Sequence, residues 1–479
     1  METPIESATQ PQAEMEPNDV AKPSVTTILE ILNAPSSKIL YSPIREGEIR
    51  LVTIHAGNSE DNISCSLSTV SQNGNPYYWA LSYVWGSQED PKSILLDNIK
   101  WHVTRNLYTA LSHLRKQDED VIVWIDALAI NQSDIPERNV QVSNMRNVYS
   151  QASSTFIWLC DADHEFDPGV EAYFAASRAW FTANADLRSE MEETYKRSIA
   201  ADDEIGWLLK KTPIIFTGLP YWSRTWIVQE ILYSDDIYIK YGTCTTAYKA
   251  LEDFTSKVCD MIDAMSSENG KFPTFQDTII FRTLFDRLPK AKSAKDGHYM
   301  DLLDWRYTIC EKNATDPRDR VFGYYGCFPS EVRDMITVDY SKSVVEVFVE
   351  INEVLIRKFE TLDILMGPKG TVEKDQALPS WTWIPQSIQP AHNKNPLRLT
   401  KNPLTRSRFG AGGNLPLFYD FLDNGKTLHV KGKVCYFIKD LAPPLLPASM
   451  AEEEVVLAQR FNFDFQSDES EVADFLTYL

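Results

Sequence analysis

The chain has 479 residues, which exceeds one ordinary domain of about 100–200 residues and predicts several structural units. It carries 47 basic and 68 acidic residues, for a net charge of −21, and such a field repels a phosphate backbone. We therefore expect no nucleic-acid partner. The N-terminus lacks the basic start of a signal peptide, and no apolar run approaches the roughly 18 residues of a membrane span. These features predict a cytoplasmic protein with no membrane span.

Cysteine and histidine usage gives no sign of a disulfide framework or a metal site. The seven cysteines are thinly spread without a C-x-x-C pair, and the histidines form no H-x-x-x-H motif. We therefore predict no metal ligands and no bound cofactor.

The predicted elements begin after a segment of low hydrophobicity. The first 25 residues are rich in Pro, Glu, Thr and Ser, and we predict disorder over residues 1–35. From there to residue 245, apolar runs typical of buried strands alternate with amphipathic helices. The predicted strands are Leu51–His55, Trp79–Trp85, Ile94–Asp97, Val121–Asp126, Thr155–Cys160 and Ile237–Tyr241. The predicted helices have apolar positions over 107–114 and 142–152, and another begins at Pro220. This alternation predicts an α/β domain with a parallel sheet flanked by helices.

Three further regions differ from that pattern. An acidic helical insertion is predicted at about 161–210 of the α/β domain. Residues 246–395 are predicted to be mostly helical, with a capping-box signature at Ser343 and Glu346. Residues 396–479 are predicted to be a small mixed α/β region with a strand at Leu428–Phe437 and an acidic tail.

Four ordered blocks in residues 78–230 carry more information than periodicity alone. They are Tyr78–Gly86 (YWALSYVWG), Val123–Gln132 (VWIDALAINQ), Gln141–Tyr149 (QVSNMRNVY) and Trp222–Glu230 (WSRTWIVQE). Together they resemble the fungal heterokaryon-incompatibility (HET) domain, whose proteins trigger cell death when incompatible hyphae fuse. Weaker likeness continues through Thr315–Gly323, Val338–Ser341 and Leu378–Trp381.

The resemblance implies a fold and an activity. HET domains are remotely similar to Toll/interleukin-receptor (TIR) domains, which are flavodoxin-like parallel sheets, and some TIR domains cleave the nicotinamide–ribose bond of NAD. Their essential glutamate lies four residues after a tryptophan, the spacing of Trp226 and Glu230 here. By this resemblance Glu230 is the catalytic candidate, Trp226 a ligand contact and NAD a possible substrate.

The chemistry suits a single carboxylate. Nicotinamide leaves NAD as a neutral base, so no general acid is required, unlike the two-carboxylate arrangement of ordinary glycosidases. One ionised glutamate can hold ribose hydroxyls and stabilise positive charge on the sugar. The alternative is that Trp226 and Glu230 only pack and cap a helix.

Asp126 closes a buried strand, and ligands of open α/β sheets bind beyond the carboxyl ends of strands. Asp126, Asn131 and Gln132 are therefore candidate ribose or adenine contacts. The alternative is that Asp126 caps the loop that follows it, as Asp commonly does in turns.

Three further residues are candidates for the same ligand. Trp85 can stack on a nicotinamide or adenine ring, and Gly86 allows a tight turn or a close ligand approach. Core packing is the alternative for Trp85. Arg224 can bind a pyrophosphate, and its alternative is a structural ion pair with Glu230 or with the insertion.

Two functional hypotheses follow. In the first, the chain is an incompatibility protein that promotes programmed cell death, with NAD glycohydrolase activity as a possible mechanism. In the second, it is a non-catalytic signalling module that self-associates or recruits other incompatibility proteins.

Overall fold

The structure of the chain is a computed structural model that describes residues 40–161, 167–269 and 312–360. It also describes residues 29, 32, 33, 362, 379, 381–384, 418–422, 427–431 and 474–475. The glycine-rich stretch at 410–413 and the acidic tail from 451 to 473 lie outside these residues, as do residues 432–437 of the strand predicted at 428–437. Residues 428–431 of that prediction lie in the strand Thr427–Lys431.

A nine-stranded mixed sheet, in the order β5-β4-β2-β1-β6-β3-β7-β8-β9, forms the centre of the fold. Strands β6, β3, β7 and β8 are parallel, whereas β1, β5 and β9 pair with antiparallel neighbours. The parallel sheet predicted from the alternating pattern is thus its middle. It is extended on one side by β1, β2, β4 and β5, of which β2 and β4 pair in parallel, and on the other side by the antiparallel β9. The bounds are β1 (Glu48–Ile54), β2 (Ser64–Ser71), β3 (Trp79–Tyr83), β4 (Lys92–Leu96), β5 (Ile99–Val103), β6 (Val121–Trp124), β7 (Ser154–Trp158), β8 (Ile237–Tyr241) and β9 (Cys244–Ala247).

Capping side chains mark the N-termini of two of the helices. Thr104 accepts a hydrogen bond from the Leu107 amide at the first helix, and Ser343 and Glu346 form the predicted capping box at the last long helix. The helices are α1 (Arg105–Leu114), α2 (Asp126–Ala129), α3 (Ile135–Ser143), α4 (Met145–Gln151), α5 (Asp167–Thr182), α6 (Ala185–Ala201), α7 (Glu204–Thr217), α8 (Ile227–Leu232), α9 (Tyr248–Asn269), α10 (Asp319–Phe322), α11 (Ser330–Arg333) and α12 (Val344–Phe359).

Two hydrophobic cores cover the two faces of the sheet. On one face, α1 packs its residues Leu107, Leu111 and Leu114 against the strands. On the other face, α3, α4, α5, α8, α9 and the segment 312–360 share one continuous core. Successive side chains of β3 point to different cores: Ala80 belongs to the second core and Leu81 to the first.

Small pieces complete the description. A three-stranded sheet contains β10 (Phe418–Leu422), β11 (Thr427–Lys431) and β12 (Asp474–Phe475). Within the residues 1–35 predicted to be disordered, Leu29 and Asn33 hydrogen bond to the α/β domain. The domain boundary at 245 stays a prediction, but the core itself continues across it into α9 and 312–360.

Candidate functional site

The charged candidates gather at the carboxyl ends of the central parallel strands. The block Tyr78–Gly86 forms β3 and the turn after it, and Asp126 follows β6 directly. Chain order reverses between β3 and its neighbour β7, which is where open α/β sheets bind ligands. Glu230 reaches this end of the sheet from α8, whose six residues are all buried.

Glu230 is enclosed rather than open to a crevice. It is 2% exposed, and its Oε2 accepts a short hydrogen bond from the hydroxyl of Ser82. The same Ser82 oxygen lies 2.7 Å from the hydroxyl of Tyr221. Arg224 Nη1 lies 3.6 Å from Glu230 Oε2. The carboxylate of Glu230 therefore faces no open crevice, because α8 packs its whole length into the core.

Arg224 makes the ion pair that we weighed as the alternative to phosphate binding. Its side chain is 17% exposed, and its Nη1 is buried without a hydrogen-bond partner among the described residues. Burial opposes its charge, but the carboxylates of Glu230 and Asp126 more than offset that effect and raise the pKa of Arg224. The guanidinium therefore keeps one N–H group that is available to an additional acceptor.

The two carboxyl groups around Arg224 hold protons more tightly than ordinary acids. Burial raises the pKa of Glu230, against the opposing effects of Arg224 and the Ser82 hydrogen bond. Burial likewise raises the pKa of Asp126, opposed by Arg224 and by the Trp85 hydrogen bond. Glu230, Arg224 and Asp126 thus form one electrostatically coupled group, which we call the charged cluster.

A narrow cleft lies beside the cluster and is here called the Trp85 cleft. Trp85, Tyr83, Asn131 and Gln132 line it, together with Tyr41 and Trp101. Its cavity volume is about 60 Å³, far below the roughly 300–1,000 Å³ of typical ligand pockets. Glu230 and Arg224 do not line it.

Asp126 connects the cleft to the charged cluster. Its Oδ2 accepts a hydrogen bond of 2.7 Å from the indole of Trp85, and its Oδ1 accepts from the Ala127 amide. Tyr83 lines the cleft while Ser82 binds Glu230, and consecutive strand residues point to opposite faces. The cleft and the Glu230 carboxylate therefore lie on opposite faces of the sheet. A ligand that contacts both must pass over the edge formed by the carboxyl ends of the strands.

The remaining candidates near the cleft also hold the loop over residues 131–137. The side-chain amide of Gln132 donates to the carbonyl of Asp126, and the backbone amide of Asn131 donates to the carboxylate of Glu137. The loop is thus held by Glu137 and by the Asp134 cap of α3, not by the Asp126 carboxylate. Gly86 has φ +79°, a left-handed conformation that explains the glycine after β3.

Trp226 points away from the cleft. Its indole donates to Asp319 Oδ2 at 3.1 Å, and Tyr340 donates to the other oxygen of that carboxylate at 2.6 Å. Burial and the neighbouring Asp316 raise the pKa of Asp319 to about 6. Although Trp226 and Glu230 are four residues apart, their polar atoms therefore have different partners, and Trp226 joins the α/β domain to the segment 312–360.

Sequence reasoning missed the two hydroxyls that surround Glu230. Ser82 and Tyr221 are buried, and burial raises the pKa of Tyr221 well above its ordinary value. A usable signal existed for Ser82, because a lone serine within the buried apolar run Ala80–Val84 needs a polar partner. No comparable local signal distinguishes Tyr221 from the neighbouring aromatic residue Trp222.

The fold and site define an α/β protein with a buried charged cluster at the carboxyl ends of parallel strands. Residues 78–230 match the family described as "Heterokaryon incompatibility protein (HET)". A curated relative, "Heterokaryon incompatibility protein 6, OR allele" of Neurospora crassa, is 26% identical over 394 residues. That alignment covers 70% of this chain and 57% of the relative, so the chain spans little more than half of its length. Residues 78–230 therefore match a HET domain, and over the aligned residues the chain is similar to a fungal heterokaryon incompatibility protein. No solved structure matches it.

The described residues offer neither a membrane-spanning helix nor a cluster of metal ligands. No helix there is long and apolar enough to cross a membrane. No group of three or more His, Cys, Asp or Glu side chains within them is placed to hold a metal ion.

Proposed function

We propose that this chain is a cytoplasmic incompatibility protein that promotes programmed cell death in non-self recognition, and that its α/β domain acts by hydrolysing NAD. The HET match and the name of the Neurospora relative support the biological role. Other incompatibility proteins, or further copies of the chain, are the proposed partners.

The observation that carries the enzymatic proposal is the charged cluster at the switch of strand order. The four parallel strands β3, β6, β7 and β8 are numbered first to fourth in chain order. Side by side in the sheet, they lie in the order second, first, third, fourth. Flavodoxin-like sheets begin with this order and bind ligands at that switch point. The strand order therefore supports a TIR-like fold with a dinucleotide site at this end of the sheet.

A ligand can free Glu230 by competing for Arg224. The buried Nη1 of Arg224 has no hydrogen-bond partner among the described residues and lies 3.6 Å from Glu230. A pyrophosphate that binds the guanidinium offers a stronger, bidentate partner than this ion pair. Glu230 is then available to the ribose, where its carboxylate stabilises positive charge as nicotinamide leaves. Trp85 and Asp126 contact the bases or the second ribose from the cleft.

The enclosure of Glu230 favours a second candidate function. A carboxylate that is 2% exposed and paired with Arg224 is also what a structural ion pair requires. In this alternative the domain is a non-catalytic module that self-associates and recruits partners, and Glu230 only stabilises α8 beneath the sheet.

Nicotinamide release distinguishes the two candidates. Purified full chain is incubated with NAD, and nicotinamide is measured by liquid chromatography. We expect release by the wild type and a loss of about 100-fold or more in Glu230→Gln, the usual effect of removing one transition-state-stabilising group. The control is Glu350→Gln, which removes another paired glutamate, bound to Lys342 at 2.6 Å on α12. It should keep the wild-type rate.

Background release by the wild type, or equal release by wild type and Glu230→Gln, would refute the enzymatic proposal. If both proteins then impair growth equally when expressed in a fungal host, the non-catalytic module is the remaining function.

A further inference from the structure

Two buried hydroxyl groups form a chain behind the carboxylate of Glu230. Ser82 lies on β3 and Tyr221 in the helical turn Pro220–Ser223, and at most 1% of either residue is exposed. The hydroxyl oxygens of Tyr221 and Ser82 are 2.7 Å apart, and the Ser82 hydroxyl donates to Glu230 Oε2. The carboxylate is thereby tied both to the central parallel strands and to the turn before its own helix.

The charge of Glu230 fixes the direction of the hydrogen bonds in this chain. An ionised carboxylate only accepts hydrogen bonds, so Ser82 must donate to it. A serine hydroxyl has one proton, and Ser82 uses it in that bond. Toward Tyr221, Ser82 can therefore only accept, and the Tyr221 hydroxyl is the donor. Both protons of the chain point toward the carboxylate, and each of the two bonds strengthens the other.

The chain holds one of the two carboxylate oxygens. Ser82 donates to Oε2, and Arg224 Nη1 approaches the same atom to 3.6 Å. Among the residues that the structure describes, the other oxygen, Oε1, accepts no hydrogen bond. In the proposed NAD hydrolysis, a pyrophosphate draws Arg224 away from Glu230. Ser82 and Tyr221 are then the contacts that keep the carboxylate in place.

We infer that Ser82 and Tyr221 are positioning residues, which hold the Oε2 atom of Glu230 in place and leave its Oε1 atom to contact the ligand. The inference rests on the proposed function in one respect, namely that this ligand is the ribose of NAD. Neither hydroxyl contacts the substrate, because both are enclosed in the core behind Glu230.

The surroundings of Glu230 determine what the loss of one donor does. The titratable groups that interact with Glu230 are Arg224, Asp126, Tyr83, Tyr149 and Tyr221. Burial raises the pKa of each of these tyrosines well above its ordinary value, so they stay neutral. Burial also raises the pKa of Glu230, whereas Arg224 and the Ser82 hydrogen bond lower it. Removal of the Ser82 donor should therefore raise the pKa of Glu230 further.

The test compares three variants that each lose one hydroxyl in the full chain. Ser82→Ala removes the donor to Glu230, and Tyr221→Phe removes the donor to Ser82. The control is Tyr149→Phe, which removes another buried hydroxyl near Glu230, one that donates to the Leu81 carbonyl at 3.2 Å. Tyr221→Phe removes only an oxygen atom and its proton, so it keeps the test decisive if Ser82→Ala does not fold.

The first measurement needs no ligand. The protonation of Glu230 is followed against pH by difference infrared spectroscopy, and its carboxyl band is assigned by its absence in Glu230→Gln. We expect the pKa of Glu230 to rise by about one to two pH units in Ser82→Ala, the usual effect of losing a hydrogen bond to a charged group. The pKa should rise less in Tyr221→Phe, because Tyr221 acts through Ser82, and should not change in Tyr149→Phe.

The second measurement is the kinetics of nicotinamide release from NAD. We expect kcat to fall about ten-fold or more in Ser82→Ala, and less in Tyr221→Phe, with KM nearly unchanged, because a misplaced carboxylate weakens the transition state rather than binding. The acid limb of the kcat profile should move to higher pH by the same amount as the infrared titration. A loss of stability alone would lower the amount of active protein without moving this limb.

The two measurements separate failure of the positioning role from failure of the proposed function. The expected infrared titrations with only background release by the wild type would support the hydroxyl chain and contradict NAD hydrolysis. Release by the wild type with an unchanged pKa of Glu230 in Ser82→Ala and Tyr221→Phe would support NAD hydrolysis and overturn the inference. An equal pKa change in Tyr149→Phe, or an unchanged kcat in the two positioning variants of an active enzyme, would overturn it as well.

Discussion

Loss of one partner from the ion pair between Arg224 and Glu230 should destabilise the region around α8. The two charges are 3.6 Å apart, and Coulomb's law with an effective dielectric constant of about 20 gives an attraction of about 4–5 kcal/mol. Much of this attraction offsets the cost of burying the charges, so the net value of the pair is small. Removing one partner leaves the other buried and uncompensated, and that is the expensive change.

A double-mutant cycle measures this asymmetry. We expect Arg224→Met to lower the free energy of unfolding by about 3–5 kcal/mol, because Glu230 then lacks its cation. Glu230→Gln should cost less, because Arg224 is 17% exposed and keeps the carboxylate of Asp126 as a counter-charge, and the amide can still accept a hydrogen bond from Ser82. The double variant should lie within about 1 kcal/mol of Glu230→Gln alone, which is a strong coupling between the two sites.

Urea denaturation of the four proteins near pH 7, followed by tryptophan fluorescence, provides the comparison. The slope with urea should not change between variants, so differences in midpoint report differences in stability. If Arg224→Met is as stable as the wild type, or if the two single effects simply add, the charges do not depend on each other and the account of the cluster is wrong.

Two further predictions concern contacts outside the cluster. The pKa of Asp319 is raised from 3.8 to about 6, so the folded state binds its proton more tightly than the unfolded chain does. Its stabilising contribution is full below about pH 3.8 and is lost as the pH rises through about 6, a change of about 3 kcal/mol. Asp319→Asn has no such proton to lose. In urea titrations, the free energy of unfolding of the variant minus that of the wild type should therefore rise by about that amount between about pH 4 and pH 7.5. A difference that stays constant with pH would contradict the raised pKa. A Cβ at Gly206 would lie 2.0 Å from the Ser198 carbonyl oxygen, so Gly206→Ala should cost about 3 kcal/mol in the same assay. The control Gly74→Ala, where a Cβ has nothing within 4 Å, should change little, and equal effects at the two glycines would refute close packing of α7 on α6.

The fold was predictable where a single local pattern decides it. The buried strand at Ile237–Tyr241 has the predicted bounds, and Thr104 and Ser343 cap their helices because hydroxyl side chains satisfy free amides. One helix predicted over 142–152 is two helices with a break at Asn144, and the first begins earlier, at the Asp134 cap. The periodicity is continuous across the break, so apolar spacing alone does not reveal it.

Three strands of the large sheet, β2, β5 and β9, were not predicted. In β5, Lys100 and His102 alternate with apolar residues and only two residues separate it from β4, so this hairpin had a local signal that was missed. Strand β2 is made largely of Ser, Thr and Cys, a weak strand pattern. Its strand form depends on its pairing with β1, which is not a property of its own residues.

The sequence suggested candidate residues at one edge of the sheet but not the orientations of their side chains. Asp126 and Trp85 are joined by a hydrogen bond because both follow strands that end at the same edge, and their role as ligand contacts stays a prediction. The position of Glu230 depends instead on Ser82 and Tyr221, which come from other segments of the chain. Helical spacing placed Trp226 beside Glu230, but spacing alone does not identify the partner of a side chain at a helix end.

The segment 312–360 holds the helix that carries Glu230 by hydrogen bonds on both sides of that residue. Gln229 donates to the Phe322 carbonyl at 3.1 Å and accepts from the Gly326 amide at 3.1 Å. A Cβ at Gly326 would lie 2.2 Å from Gln229 Oε1, so this close approach requires glycine. Tyr233 donates to the Gly326 carbonyl at 2.6 Å. Glu230 therefore lies between two residues that are fixed from beyond the HET match, and any movement that frees its carboxylate must come from Arg224 or from the strand side rather than from a shift of the helix.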